Sequence, residues 1–246
     1  MNYPEHQADR KDVEPDVALP CASISADNPC TDHGSQGGGN REPVAEAGRS
    51  PTPRIEFYRA NEKPYGAFSN LCRREIEIVS RRFPTNEHAY QFLKPRDTRV
   101  RDWLLAAPAP SLVALAAHAM PGGEADPTEI MGRTADALLG FHIRPGWSLL
   151  RYPWMFECQG AKYEQHADLR ELLLSTEDAE IIEAGKIDDD AGRRWGRVNG
   201  RGHNYLGRML MLKRCHLGGA PYEDADLDAR LTAGAEALAL ALADMT

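Results

Sequence analysis

Phe83-Pro84-Thr85-Asn86-Glu87-His88-Ala89-Tyr90-Gln91-Phe92-Leu93-Lys94 is the stretch on which the reading of this chain turns. Pro-Thr-Asn is a helix entry, with Thr85 or Asn86 able to accept from the free N–H groups of the first turn. From there Glu87, Tyr90, Gln91 and Lys94 recur at i, i+3, i+4 and i+7, which puts them on one helical face. Ala89, Phe92 and Leu93 fall on the other side and can be buried. A carboxylate, a phenol, an amide and an ammonium therefore line up on an anchored helix, with the carboxylate at the favourable end of the helix dipole. The same spacing also describes an ordinary amphipathic surface helix, so the pattern needs company before it means chemistry.

Working outward, Ile55-Glu56-Phe57-Tyr58 and Ile76-Glu77-Ile78-Val79 read as strands, with the turn-rich Pro64–Asn70 loop between them. After the helix at Asn86, residues 102–119 read as helix broken around Pro108 and Pro110. Pro121-Gly122-Gly123 opens a loop, and 127–140 reads as helix. Trp147 to Cys158 is apolar and aromatic. Leu169, Leu172 and Leu173 give a helix over 167–176, and Ala179–Glu183 a short strand. Residues 188–203 read as a charged, glycine-containing loop. Asn204 is expected to cap a helix running to Arg214, where Leu206, Met209, Leu210 and Lys213 share a face. A last helix over 225–245 carries Leu227, Leu231, Leu238 and Leu242 on one stripe, fit to dock on the core or on a partner. The expected fold class is α+β, predominantly helical, as a single domain with a few short strands.

The chain has 246 residues and a net charge of −8. Residues 1–53 and 219–246 contribute −5 each, so 54–218 carries about +2. Net acidity therefore does not argue against a phosphate-bearing ligand. The expected organisation is a disordered acidic tail over 1–53, a folded domain over 54–218, and an acidic linker with an amphipathic helix over 219–246. Five cysteines without a Cys-x-x-Cys pair make neither a disulfide framework nor a zinc site. With no apolar leader and no long apolar run, a cytoplasmic protein with no membrane contact is expected.

Several polar groups compete for a functional role. Phe68-Ser69-Asn70 offers a ring, a hydroxyl and an amide, though Ser-Asn is also common in turns. Trp147 and Trp195 have faces that stack on flat heterocycles, but tryptophans are more often core residues. Asp188-Asp189-Asp190 lacks calcium-loop spacing and fits a solvated turn better than a cation site. Gly200 to Gly207 places glycines before a helix start, where free N–H groups bind anions. It is not a dinucleotide fingerprint, because no strand feeds it. Arg73, Arg74, Arg81, Arg82, Arg96, Arg99 and Arg101 are interleaved with acids and read as a solvated surface rather than a nucleic-acid face.

Taken in order, these pieces resemble the YbiA-like, or NADAR, family. The resemblance runs through Phe57-Tyr58, Phe68-Ser69-Asn70, Glu87–Gln91 with Lys94, Arg144-x-x-Trp147 with Met155, and Lys162-Tyr163-Glu164-Gln165. It continues with Glu183, Trp195-Gly196, and Gly200–Gly207 with Leu210-Met211. It covers roughly 55–217. Where the family has Asp three residues before that Trp, this chain has Gly192, and Asp190 is assigned the role; residues 119–142 read as an insertion.

The resemblance implies an N-glycosidase cleaving ribose from a base or amine. The substrate would be a phosphoribosylamino-pyrimidine of riboflavin synthesis or ADP-ribosylated guanine in nucleic acid; a non-catalytic ADP-ribose reader is the other class. It implies Glu87 at the ribose C1, as a carboxylate that stabilises an oxocarbenium and activates water. Trp147 and Trp195 would stack on the base, Lys94 and the Asn204 helix start would meet phosphate, and Glu183 and Asp190 would bind hydroxyls. Phe68, Ser69, Asn70, Tyr90 and Gln91 complete the expected site, with no metal and no cofactor.

Overall fold

The computed structural model describes residues 52–118 and 142–245. The tail up to residue 51, the Pro121 loop and the 127–140 helix fall outside them.

The expected strands form and find partners far apart in sequence. β1 (Arg54–Phe57) runs parallel to β4 (Glu180–Gly185), and β4 parallel to β5 (Arg197–Val198), in the order β1-β4-β5. Register pairs Ile55 with Ile181 and Phe57 with Glu183. Central β4 buries Ile181 and Ile182, as a strand covered on both faces does. β2 (Ile76–Ile78) pairs antiparallel with β3 (Arg81–Phe83). β3 was not expected, because its turn is Val79-Ser80. Both residues have positive φ, 50° and 57°, in the geometry tight hairpins normally reserve for Asn and Gly.

The helices carry most of the body. α1 (Asn86–Leu93) is capped by Thr85, whose hydroxyl accepts from the His88 N–H at 3.4 Å. All eight of its residues are buried, so it is no surface helix: its polar face looks into the interior. α2 (Thr98–Leu105) and α3 (Pro110–His118) follow, broken between them as expected.

α4 (Trp147–Gln165) has 19 residues and is the centre of the fold. It runs through Pro153, a residue that removes a hydrogen bond from a helix interior. α5 (Ala167–Leu174) leads to β4. The expected loop over 188–203 instead holds a short helix, α6 (Asp190–Trp195), and β5. Asp189 starts α6 by accepting from Gly192 N–H at 2.6 Å. α7 (Tyr205–His216) buries Leu206, Met209, Leu210 and Lys213.

α8 (Ala225–Ala243) docks on the core, along α4. Leu227 and Leu238 are buried, with Leu231 and Leu242 partly so. Each buried leucine contributes about 1.5–3 kcal/mol relative to exposure. Ion pairs hold both ends: Arg208 with Asp224 and Asp226, and the buried Arg101 and Arg144 with Asp244 at 2.6 and 3.3 Å. Mid-helix, Gly234 packs against Pro153 of α4; an added Cβ would lie 2.5 Å from Leu149 O and 2.6 Å from Pro153 Cγ. Gly234→Val is therefore expected to lower the urea unfolding midpoint by an equivalent of about 1–3 kcal/mol.

Candidate active site

Glu87 is fully buried at the first turn of α1. Its backbone N–H donates to Asn70 O at 3.4 Å, and the Asn86 amide donates to Asn70 Oδ1 at 3.4 Å. The 68–70 loop is thus pinned to the helix start. It is held from behind by Lys162, a buried ammonium that donates to Ser69 O at 2.9 Å. Gln91 Nε2 donates to Glu87 Oε1 at 2.9 Å.

Four buried polar atoms in this small region, Asn70 Nδ2, Asn86 Oδ1, Glu87 Oε2 and Gln91 Oε1, have no hydrogen-bond partner among the described residues. Each such atom costs about 1–3 kcal/mol, and native interiors contain few of them. Their concentration around one carboxyl marks a place built to bind something.

Burial pushes the Glu87 pKa up to about 8; Gln91 and then Lys94 oppose the rise, and the Glu183 carboxylate adds to it. With that value the protonated form of Glu87 predominates at neutral pH. Burial lowers the Lys94 ammonium to about 8, against the pull of Glu87 and with the help of Arg151 and Arg194. Lys94 Nζ also donates to Ala117 O at 2.7 Å.

Aromatic rings wall the cluster. Tyr90 packs edge-on against Trp147 at 4.7 Å and Trp195 at 6.2 Å, and Tyr152 lies 5.8 Å from Trp195. Trp147 is 5% exposed and Trp195 half-buried, so Trp195 offers more ring to a ligand. Glu183 is held against the end of α6. Its backbone N–H donates to Asn204 Oδ1 at 3.0 Å, and a Cβ on Gly196 would lie 2.4 Å from its carbonyl oxygen. Glu87, Tyr90, Gln91, Lys94, Trp147, Glu183 and Trp195 are thus brought together from α1, α4, β4 and α6.

Four expected contributors are placed otherwise. Phe68 is a core residue, packed on Phe57, Tyr65 and Tyr163 at 5.8, 5.5 and 6.5 Å. The Ser69 hydroxyl accepts from Leu71 N–H at 3.4 Å. Asn204 neither caps α7 with its side chain nor faces outward. It is left-handed (φ 53°), fully buried, and its amide donates to Ile181 O at 2.8 Å while its Oδ1 accepts from Glu183. It ties α7 to β4. Asp190 is exposed on α6, and its charge acts on Arg193, not on the Glu87 cluster. His88 of the opening stretch is also structural. Its ring lies 2.9 Å from Thr85 Oγ1 and 3.1 Å from Ala107 O, and burial lowers its pKa.

Arg151 and Arg194 went unread in the sequence, although both act on Tyr90 and Lys94. Arg151 follows Trp147 by four, a signal available only once α4 is known to be a helix. The arginines between Arg73 and Arg101 are largely paired: Arg74 with Asp168, Arg82 with Glu75 and Glu77, Arg99 with Asp97 and Arg101 with Asp244. Among the described residues no group of three or more His, Cys, Asp or Glu is placed to hold a metal, and no helix is long and apolar enough to cross a membrane.

A buried carboxyl with a raised pKa beside a second carboxylate, walled by rings and flanked by cations, is the equipment of a hydrolase that works by acid–base chemistry. The family comparisons agree with that class. Residues 56–218 match the NADAR domain, and the chain belongs to the NADAR family. It is 34% identical over 158 residues to N-glycosidase YbiA of Shigella flexneri, covering 64% of this chain and 84% of that protein. A riboflavin biosynthesis protein of Zea mays, PYRR, is 27% identical over 181 residues, covering 70% of this chain but 26% of that one. The NMR structure of Escherichia coli YbiA superposes with a TM-score of 0.53 at 30% identity, covering 69% of this chain and 88% of that one.

Proposed function

We propose that this chain is an N-glycosidase that hydrolyses the bond between ribose C1 and the nitrogen of a base or amine, with phosphoribosylamino-pyrimidines of riboflavin biosynthesis as its substrates. One observation carries the reading: Glu87 is a buried carboxyl whose pKa is raised to about 8, so it holds a transferable proton at neutral pH. The names of the related N-glycosidases and of the maize riboflavin protein support the substrate class.

In the proposed reaction the C1–N bond breaks with its electron pair going to nitrogen, and Glu87 supplies that nitrogen with a proton. Water adds at C1, and the proton it releases restores Glu87. Glu183, the neighbouring carboxylate, lowers the energy of the positive sugar between these events. Trp195 stacks on the departing base.

Incubating the full chain with the phosphoribosylamino-pyrimidine and with ADP-ribosylated DNA tests the assignment by chromatography of the products. Ribose 5-phosphate released from the first is the expected result. Release of ADP-ribose from the DNA alone would move the assignment to the ADP-ribosyl substrate. Tight ADP-ribose binding with no cleavage of either would make the chain a reader.

A further inference from the structure

We infer that α8, which begins at Ala225 and so lies beyond the residues 56–218 that match the family, is a working part of the site. Its Arg230 is a positioning residue: it fixes the aromatic pair on which Trp195 leans. The inference rests on the reading of Trp195 as the ring that meets the base, while the packing itself depends on no reaction.

The first two turns of α8 grip two rings of the body. The Arg230 guanidinium lies over Tyr152 of α4 and Tyr205 of α7, 5.0 and 4.8 Å from their ring centroids. One turn earlier, Asp226 accepts from the Tyr205 hydroxyl at 2.9 Å and from Arg230 Nε at 3.0 Å. Asp226 thus holds both the phenol and the guanidinium that covers it. Tyr152 and Tyr205 pack edge-on at 5.0 Å, and both are buried. A cation over a ring is held by the ring quadrupole, and its apolar stem keeps water off the ring. Because Arg230 is already paired with Asp226, it is suited to placing rings rather than to capturing an anion.

The pair matters because of what leans on it. Tyr152 lies 5.8 Å from Trp195, and Trp195 lies 6.2 Å from Tyr90 of α1. Trp195 ends α6, a helix of six residues that buries none of them. So short and exposed an element cannot hold a ring in place by itself, and the aromatic neighbours must do it. Tyr205 also follows Asn204, whose side chain accepts from the Glu183 N–H at 3.0 Å and donates to Ile181 O at 2.8 Å. By holding Tyr205, α8 braces the start of α7 where it is tied to β4.

Acrylamide quenching of the full-length chain tests the placement without any substrate. Parent and Arg230→Met proteins, each with and without Trp195→Phe, give the Trp195 emission by difference. Its quenching constant should rise roughly twofold in Arg230→Met, as a half-buried ring gains rotamer freedom. Arg230→Lys, which keeps a cation over the rings, should return most of the way to the parent. With the N-glycoside that the chain cleaves, Arg230→Met should raise KM by about three- to tenfold, the range that a cation over a ring is worth, and leave kcat nearly unchanged. In the Trp195→Phe background the same substitution should add much less, because the two changes act through one ring. Identical Trp195 quenching in the parent and Arg230→Met, or a KM rise of the same size in both backgrounds, would overturn the positioning role even if the parent turns over. Absence of turnover on every N-glycoside, with the Trp195 response to Arg230 intact, would overturn the proposed reaction alone.

Discussion

Glu87→Gln is expected to lower kcat/KM for N-glycoside cleavage by about 10²–10⁴-fold, the usual contribution of a positioned general acid. Glutamine keeps the shape and can still accept from Gln91 at the position of Oε1, 2.9 Å away in the parent, so substrate affinity should survive. The pH profile sharpens the test. Glu87 holds its proton up to about 8, so as a proton donor it should give a kcat/KM that is level below that pH and falls about tenfold per unit above it. Lys94 also titrates near 8 and would produce a limb of the same shape. The Glu87→Gln profile separates them: if Glu87 is the donor, the small residual rate no longer falls above 8. Persistence of the limb in the variant would give it to Lys94. A parent rate that rises toward 8 would make the carboxylate, not the acid, the working form.

The features that sequence reveals and those it hides have physical reasons. The polar face of α1 follows from a 3.6-residue repeat, and the Thr85 cap from residue type, so both are readable. That the face looks inward is a tertiary fact: nothing in Glu87-x-x-Tyr90-Gln91 says that residues of α4, β4 and α6 gather on it. Phe68 and Asn204 carry the right groups for recognition, yet their surroundings absorb them. Phe68 is closed in by three rings, and Asn204 uses its amide on the β4 backbone. β3 is hidden by a left-handed Val79-Ser80 turn, which side chains ordinarily avoid. α4 is hidden by Pro153, a residue that removes a helical hydrogen bond, and Gly234, some eighty residues later, packs closely against it. That concealment also hid Arg151, because its relation to Trp147 exists only in helical register.

The stability of the Glu87→Gln protein should depend on pH in a way that surface substitutions cannot imitate. Burial raises the folded-state pKa of Glu87 to about 8 from an ordinary 4.5. Between those values the unfolded chain has released a proton that the folded chain still holds. This group's contribution to stability is fully present below about 4.5 and is lost as pH rises, at about 1.4 kcal/mol per unit, until the loss is complete near 8. Glutamine has no proton to hold and no such slope. The variant should match the parent at pH 4.5 and exceed it progressively above, by up to about 5 kcal/mol at pH 8–9. In a folded body of this size that is on the order of 10 °C in Tm. Lys94 does not blur the comparison below pH 8, because there Glu87 is uncharged in the folded parent and its loss removes no ion pair. Thermal melts of both proteins from pH 4.5 to 9 measure the divergence. A gain in stability that comes with the loss of turnover is what a carboxyl buried for its chemistry predicts. A constant difference across the range would mean that Glu87 ionises near its ordinary value when folded, and the proton-donor role would fall with it.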